Sequence, residues 1–248
     1  MLPTHPTISL LTPTYNRRAF LPNLVECIAA QTYPLAKMEW ILMDDGTDRV
    51  EDLIPVFQKR LKDVKIRYIG LPAGDRLRVG AKRNRLHDLA TGDICVCMDD
   101  DDYYYPDRVH HAVFKLRSNP KIELVGASEM YCYFVDDMSI WKSGPYPFPN
   151  HGTFGTMAYL TSYAKKVRCS ETTFHAEEIE FTKKYTTPLI QLDPRKVMLV
   201  MCHKDNTFDK HKLRVETNPM FVKTGSKLKD FVKGPLKEVY TKLSTGST

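Results

Sequence analysis

Four consecutive aspartates, Asp99, Asp100, Asp101 and Asp102, follow the apolar run Ile-Cys-Val-Cys-Met at 94–98. Two carboxylates about 4 Å apart repel by about 4 kcal/mol at an effective dielectric near 20. Four in a row beside an apolar segment therefore need solvent or a cation. A hard divalent ion such as Mg²⁺ or Mn²⁺ takes oxygen ligands and accepts few of them from protein. One or two of these aspartates plus a substrate diphosphate would satisfy it. The row also suits an acidic strand-to-helix turn, with Asp102 near the start of a helix opened by Pro106.

Other polar groups end other apolar runs. Thr14-Tyr15-Asn16 closes "ISLLTPTYN", and Asp44-Asp45-Gly46 closes "EWILMDDG". An aspartate at a strand end is also a common turn-starter. "DDGT" after a strand is similar to the haloacid-dehalogenase phosphatases, but the nucleophile of that family would fall on Met43, which cannot serve. Late in the chain stand an acidic pair, Glu177-Glu178, and His203 at the end of "VMLVMCHKDNT". The pair also fits a solvated helix start, and a lone histidine at a strand end is often structural.

The elements that must carry these groups alternate. Strands are expected at 7–16, 39–46, 64–70 and 93–99, with helices at 21–31, 50–61, 81–92 and 106–119. Pro55 interrupts or restarts the second helix, Gly92 caps the third and Pro106 opens the fourth. Such alternation implies an α/β fold with a mostly parallel sheet flanked by helices. Its strands are buried on both faces, as "ICVCM" suggests. In an open parallel sheet, ligands bind beyond the carboxyl ends of the strands, so the three polar strand ends converge on one rim. The second half is less regular. It reads as a strand over 123–135, a turn, a strand at 140–143, a proline-rich loop at 144–152, helices at 162–168 and 176–185, and a strand at 196–207.

The 248 residues hold no repeat or low-complexity linker, so one domain is expected over 1–248. It divides into a nucleotide-binding half (1–110), an acceptor and catalytic half (111–222) and a basic amphipathic tail (223–248). A hydrophobic share of 42% and a charged share of 27% are those of a soluble globular protein. No run nears the roughly 20 apolar residues of a membrane span, and the first residues lack the pattern of a signal peptide. Six scattered cysteines suggest reduced thiols and a cytoplasmic setting. The net charge is +6, and six lysines against two acids from Lys223 onward supply four of those charges. The rest is near balance, which argues against a nucleic-acid binder. The tail's apolar residues (Leu228, Phe231, Val232, Leu236, Val239, Tyr240, Leu243), divided by Pro235, suit packing on the domain or peripheral contact with an anionic membrane.

The stretches "ISLLTPTYNR", "CIAAQTYP", "WILMDDGTD", "GAKRNRLHDLATGDICVCMDDDDYYYPDR" and "EEIEFTKKY" together resemble family 2 glycosyltransferases of the GT-A fold, over about residues 7–110 and a patch near 178. The resemblance implies inverting transfer of a sugar from a nucleotide-diphosphate donor, a UDP-sugar, to a glycan, glycoprotein or lipid-linked acceptor, with Mn²⁺ or Mg²⁺ as cofactor. It implies that Thr12, Pro13, Thr14 and Tyr15, with Asn16 beside them, shape the nucleobase pocket. Asp45 accepts a hydrogen bond from the base, with Asp44 the lesser candidate, and Arg83 lies near the nucleotide or diphosphate. Asp99-x-Asp101 matches the family's DxD. Asp101 is then the metal ligand, and Asp99 faces the ribose or donor sugar and is the second candidate ligand. The register leaves Asp100 open as well. His203 is expected near the diphosphate or metal, with Lys204 or Asn206 on phosphate. The family's acidic pair is commonly Glu-Asp, so Glu178 is expected as general base and Glu177 as its alternative. Trp141 and the loop 144–152 are candidates for an acceptor site. Two rivals remain: a nucleotidyltransferase, although "TPTYNRR" lacks the glycine-rich loop, and a non-catalytic sugar-nucleotide or carbohydrate-binding module.

Overall fold

The computed structural model describes residues 2–72, 74–173, 176–214, 218–234, 236, 237 and 240. In chain order the first half places β1 (Ile8–Thr14), α1 (Leu21–Ala29), β2 (Met38–Asp44), α2 (Ile54–Arg60), β3 (Lys65–Gly70), α3 (Val79–Leu89), β4 (Ile94–Cys97), β5 (Tyr103–Tyr104) and α4 (Arg108–Ser118). The second half adds β6 (Leu124–Gly126), β7 (Met130–Phe134), β8 (Ser139–Ser143), β9 (Ala158–Leu160), α5 (Thr161–Ala164), α6 (Glu178–Phe181), β10 (Leu189–Gln191), β11 (Met198–Cys202) and β12 (Phe221–Lys223).

A seven-stranded sheet runs β10-β6-β9-β4-β1-β2-β3, and a five-stranded sheet runs β12-β8-β7-β11-β5. In the larger sheet β1 pairs in parallel with β2 and β4, and β2 with β3. Every residue of β1, β2 and β4 is buried. Alternate side chains enter opposite cores: Leu10, Trp40, Leu42, Ile94 and Val96 pack on one face, and Leu11, Ile41, Met43, Cys95 and Cys97 on the other. Both faces are covered, as continuous apolar strands require, and each fully buried large apolar side chain contributes roughly 1.5–3 kcal/mol. Among the described residues, no helix is long and apolar enough to cross a membrane.

Several elements differ from the sequence expectation. The strand expected over 123–135 breaks in two, one piece in each sheet. At the break the Ala127 and Ser128 N–H groups donate to Thr156 Oγ1 and Gln191 Oε1, both at 2.8 Å, instead of to a neighbouring strand. Gly92 does not cap a helix, because α3 ends at Leu89 and Ala90 is extended. Gly92 serves close packing: an added Cβ would lie 2.7 Å from Ile8 C and Ser9 N. Pro106 sits just outside α4, where its carbonyl accepts from Thr32 N. Pro55 falls in the first turn of α2, after a 3₁₀ turn at Glu51–Leu53, where its missing N–H costs nothing. The helices expected over 162–168 and 176–185 shrink to single turns, and after α6 the chain turns left-handed at Lys183, Lys184 and Tyr185. The antiparallel insertion of β9 between β4 and β6 carries no sequence signal of its own.

The tail packs inward. Leu228, Phe231, Val232 and Tyr240 are buried in the main core, and Leu236 packs against it. Pro235, Val239 and Leu243 lie outside the described residues.

Candidate active site

The carboxyl ends of β1, β2 and β4 form one rim, since Thr14 is level with Asp44, and Leu11 with Cys97, in the parallel registers. Its floor is rigid. Thr12 Oγ1 donates to Met98 O at 2.6 Å and accepts from Trp40 Nε1 at 2.9 Å, so this hydroxyl is fixed inside the sheet. Pro13 is buried opposite Met43. Asn16 is left-handed (φ 53) and accepts from Thr47 and Asp48 N–H groups at 2.8 and 2.9 Å. That geometry pins the loop after β1 to the loop after β2.

The two aspartates of the second strand do different work. Asp44 accepts from Gly46 N (2.8 Å), Val50 N (3.2 Å) and Tyr68 Oη (2.9 Å), which closes the turn after β2. Asp45 receives Lys82 Nζ at 2.6 Å and Leu77 N at 2.8 Å, and its side chain is fully enclosed. Lys82 also donates to Thr14 O. Tyr15 carries Arg76 over its ring at 4.0 Å. Lys82 and Arg76 are thus partners that sequence reasoning missed, though both stand in the basic run that leads into and through α3.

The four aspartates point four ways. Asp99 receives both terminal nitrogens of Arg83, at 3.1 and 3.3 Å. Asp100 is buried, and desolvation plus the charge of Asp101 push its carboxyl well above the usual range, against the pull of Thr14 and Arg17. Asp101 Oδ2 lies 3.0 Å from His203 Nε2, 3.1 Å from Asn206 Nδ2 and 3.8 Å from Arg17 Nη2. Burial pushes the Asp101 carboxyl up, but the His203 bond and the charges of His203 and Arg17 outweigh it and hold it below the usual range. Asp102 turns inward and accepts from Met201 N at 2.8 Å, joining the first half to β11.

Arg83 reaches the second half as well. Its Nε donates to Glu177 Oε1 at 2.7 Å, and its guanidinium lies 4.2 Å from the Phe154 ring centroid. Glu177 is buried in this ion pair. Glu178, the first residue of α6, is only partly buried and has no ion-pair partner among the described residues. Burial pushes its carboxyl up to about 7, and the charge of Glu177 adds to the rise. Trp141, by contrast, packs in the smaller sheet, stacked on Phe221 at 5.5 Å, and donates its indole N–H to Ser139.

His203 is stacked on Phe20 at 4.6 Å and borders a cleft of about 840 Å³ whose lining includes Phe20, Val135, Met201, Lys204 and His211. A carboxylate oxygen, an imidazole nitrogen and an amide meet at Asp101, beside the buried carboxyl of Asp100. Of these groups, the Asp101 carboxylate is the one whose oxygens suit a divalent ion of the Mg²⁺ or Mn²⁺ type. Among the described residues no three His, Cys, Asp or Glu side chains form a ready-made cage, and such an ion takes much of its shell from phosphate and water.

A mostly parallel sheet whose acidic strand ends share one rim, with an antiparallel insertion toward the second half, has the architecture of the GT-A fold class. The chain belongs to glycosyl transferase family 2, whose model matches residues 9–166. Validoxylamine A glucosyltransferase of Streptomyces hygroscopicus subsp. jinggangensis is 33% identical over 95 residues, which cover 38% of this chain and 22% of that protein. The structure of TarS 1–349 from Staphylococcus aureus in complex with UDP-GlcNAc has a TM-score of 0.63 at 17% identity, covering 81% of this chain and 60% of that one. The mannosyltransferase PcManGT from Pyrobaculum calidifontis, in complex with GDP-Man and Mn²⁺, has a TM-score of 0.65 at 16% identity, covering 96% and 70%. These likenesses establish the fold. The chain spans between 16% and 63% of the length of six curated relatives it matches.

Proposed function

We propose that the protein is a metal-dependent, inverting glycosyltransferase that moves a sugar from a nucleotide-diphosphate donor, preferentially a UDP-sugar, to a hydroxyl of an acceptor. The observation that carries this reading is geometric: Arg83 ties Asp99, at the end of the fourth strand, to the acidic pair of the second half, and burial raises the carboxyl of Glu178 in that pair to about 7. A general base works best with a pKa near the working pH. Glu178 takes the proton of the acceptor hydroxyl as that oxygen bonds to the anomeric carbon. The bond from that carbon to the diphosphate breaks on the opposite face, and the diphosphate leaves with the electron pair, so configuration inverts.

Asp101, with His203 and Asn206, would hold the divalent ion, and Asp99 is the second candidate. When bound, that ion supplies charge stabilisation for the departing diphosphate. Arg17, beside Asp101, adds positive charge on the same side. Tyr15 and the loop carrying Arg76 form the base pocket, and Asp45 acts there by anchoring Lys82 or by exchanging Lys82 for the base. The donor class is supported by the UDP-GlcNAc and GDP-Man complexes of the two fold relatives. Six buried free cysteines support a reducing, cytoplasmic setting. In the tail, the exposed Lys223, Lys227, Lys229, Lys233 and Lys237 would be the groups to meet an anionic membrane surface.

Hydrolysis of UDP-GlcNAc and GDP-Man, assayed with and without Mn²⁺, tests the reading. Metal-dependent release of UDP or GDP is expected from the wild type and not from Asp101→Ala. Near-normal turnover in Asp101→Ala would reject the metal assignment. Binding of donors with no turnover under any condition would favour a non-catalytic binding module.

A further inference from the structure

The segment after Glu178 is built in an expensive way. Lys183, Lys184 and Tyr185 are all left-handed, with φ of 50, 57 and 62°. This conformation is unfavourable for each residue with a side chain, and such strain persists only where surrounding bonds over-determine it. Here they do. Lys184 N donates to Ile179 O, Tyr185 N to Thr182 Oγ1 and Thr187 N to Thr182 O. Asn150 clamps the segment from the proline-rich loop, giving its Nδ2 proton to Tyr185 O at 3.2 Å and accepting from Leu189 N at 3.3 Å.

The product of this strain is an aromatic shelf. Phe148 stacks on Tyr185 with centroids 5.3 Å apart and planes 17° from parallel. His151 lies 5.0 Å behind Tyr185 and 4.5 Å from Tyr146, which backs the shelf. His151 is buried, and its Nδ1 has no hydrogen-bond partner among the described residues. Phe148 is 53% exposed, so its outer face is open to solvent. The shelf is also adjacent to the proposed base. Thr182 Oγ1 bonds both to Glu178 O (2.7 Å) and to Tyr185 N (3.2 Å), so two hydrogen bonds link the backbones of Glu178 and Tyr185. Burial pushes the Tyr185 phenol up to about 12, and the charge of Glu178 adds to the rise, as expected of near neighbours.

Resting on the glycosyltransferase reading, we infer that the Phe148–Tyr185 shelf is the acceptor subsite and that it takes a pyranose ring, stacked by its flat C–H face, with a hydroxyl turned toward Glu178. An aromatic face offers apolar contact to axial C–H groups, while the polar rim of Tyr146, Tyr185 and Glu178 serves hydroxyls. An open-chain polyol has no rigid flat face and gains little from such a shelf.

Saturation-transfer NMR on the whole chain with UDP and Mn²⁺ tests this. The probes are methyl β-D-glucopyranoside and methyl N-acetyl-β-D-glucosaminide, with ribitol as the open-chain control. Transfer to the axial ring protons of the pyranosides is expected, and not to ribitol. Phe148→Ala should weaken pyranoside binding about tenfold, and Phe148→Tyr should retain it, with both variants melting near the wild type because Phe148 is exposed. Equal or stronger transfer to ribitol, an undiminished signal in Phe148→Ala, or no signal from either pyranoside would overturn the assignment. Donor hydrolysis by the same wild-type sample separates the two readings. Hydrolysis without pyranoside binding sinks the subsite alone, and its absence with every donor sinks the glycosyltransferase reading itself.

Discussion

Nε of Arg83 donates to Oε1 of Glu177 at 2.7 Å, and this bond ties the acidic pair of the second half to the aspartate row of the first. The other end of the same guanidinium grips Asp99. Arg83 is therefore the strut between the two groups of carboxylates. Glu177 is spent on holding it, and in the proposed mechanism Glu178 is the carboxylate that meets the acceptor.

Glu177→Gln should separate these roles. It keeps the shape and removes the charge that balances a fully enclosed guanidinium. Breaking a buried pair by neutralising one partner costs about 3 kcal/mol. The variant should lose that much in urea denaturation and lose turnover through misplacement of α6, with donor affinity less affected. An unchanged unfolding midpoint would show that Arg83 does not need Glu177.

Glu178→Gln should leave donor binding intact and lower transfer by about 100-fold or more. The wild-type rate should rise as pH climbs through about 7 and level off above it, because only the deprotonated carboxylate accepts the proton. The same group opposes folding. A carboxyl raised above its unfolded value of 4.5 binds its proton more tightly when folded, so stability falls between about pH 4.5 and 7. Glu178→Gln should therefore melt higher than the wild type at pH 8 and close to it near pH 4.5, the opposite of the pattern a glutamate held in an ion pair would give.

Chelation should silence the protein, and Mn²⁺ should restore it. His203→Ala should raise the Mn²⁺ concentration needed for half-maximal activity by about tenfold or more, the usual scale for groups that hold or orient a metal ligand. The readout is a metal titration of activity beside one of Mn²⁺ binding by electron paramagnetic resonance. A titration identical to the wild type would remove His203 from the metal's surroundings.

Away from the rim, Glu39 joins three elements. It accepts from Ser9 Oγ at 2.6 Å, from Thr91 N and Oγ1 at 2.8 and 2.7 Å, and from Arg67 at 3.1 Å. Burial pushes its carboxyl up, but those four bonds outweigh it and hold it below 4.5. A depressed carboxyl contributes stability that is present above the unfolded value and lost as pH falls through the folded one. Glu39→Gln should cost about 3 kcal/mol at pH 7, and the gap to the wild type should narrow as pH falls below 4.5. Thermal melts at pH 7, 5 and 3 would check it.

The parallel sheet was legible because its strands are continuous apolar runs and its helices keep helical spacing, and both patterns are local. The rim was legible for the same reason, since Thr14, Asp44 and Asp99 each end such a run. What failed was long-range or steric. Gly92 looks like a cap in one dimension, but the backbone of β1 at 2.7 Å is what requires glycine. The run 123–135 looks like one strand, but Thr156 and Gln191 take its N–H groups at the middle and divert it.

The residue types and their order determined the class of fold and the stock of carboxylates, because periodicity and strand-end chemistry are written in neighbouring residues. Tertiary structure alone decided the division of labour within each acidic pair. Lys82, Arg83 and His203 come from 37, 94 and 102 positions away to meet Asp45, Glu177 and Asp101. A carboxylate's role follows from the charge and solvent beside it, and these partners meet only when the chain folds.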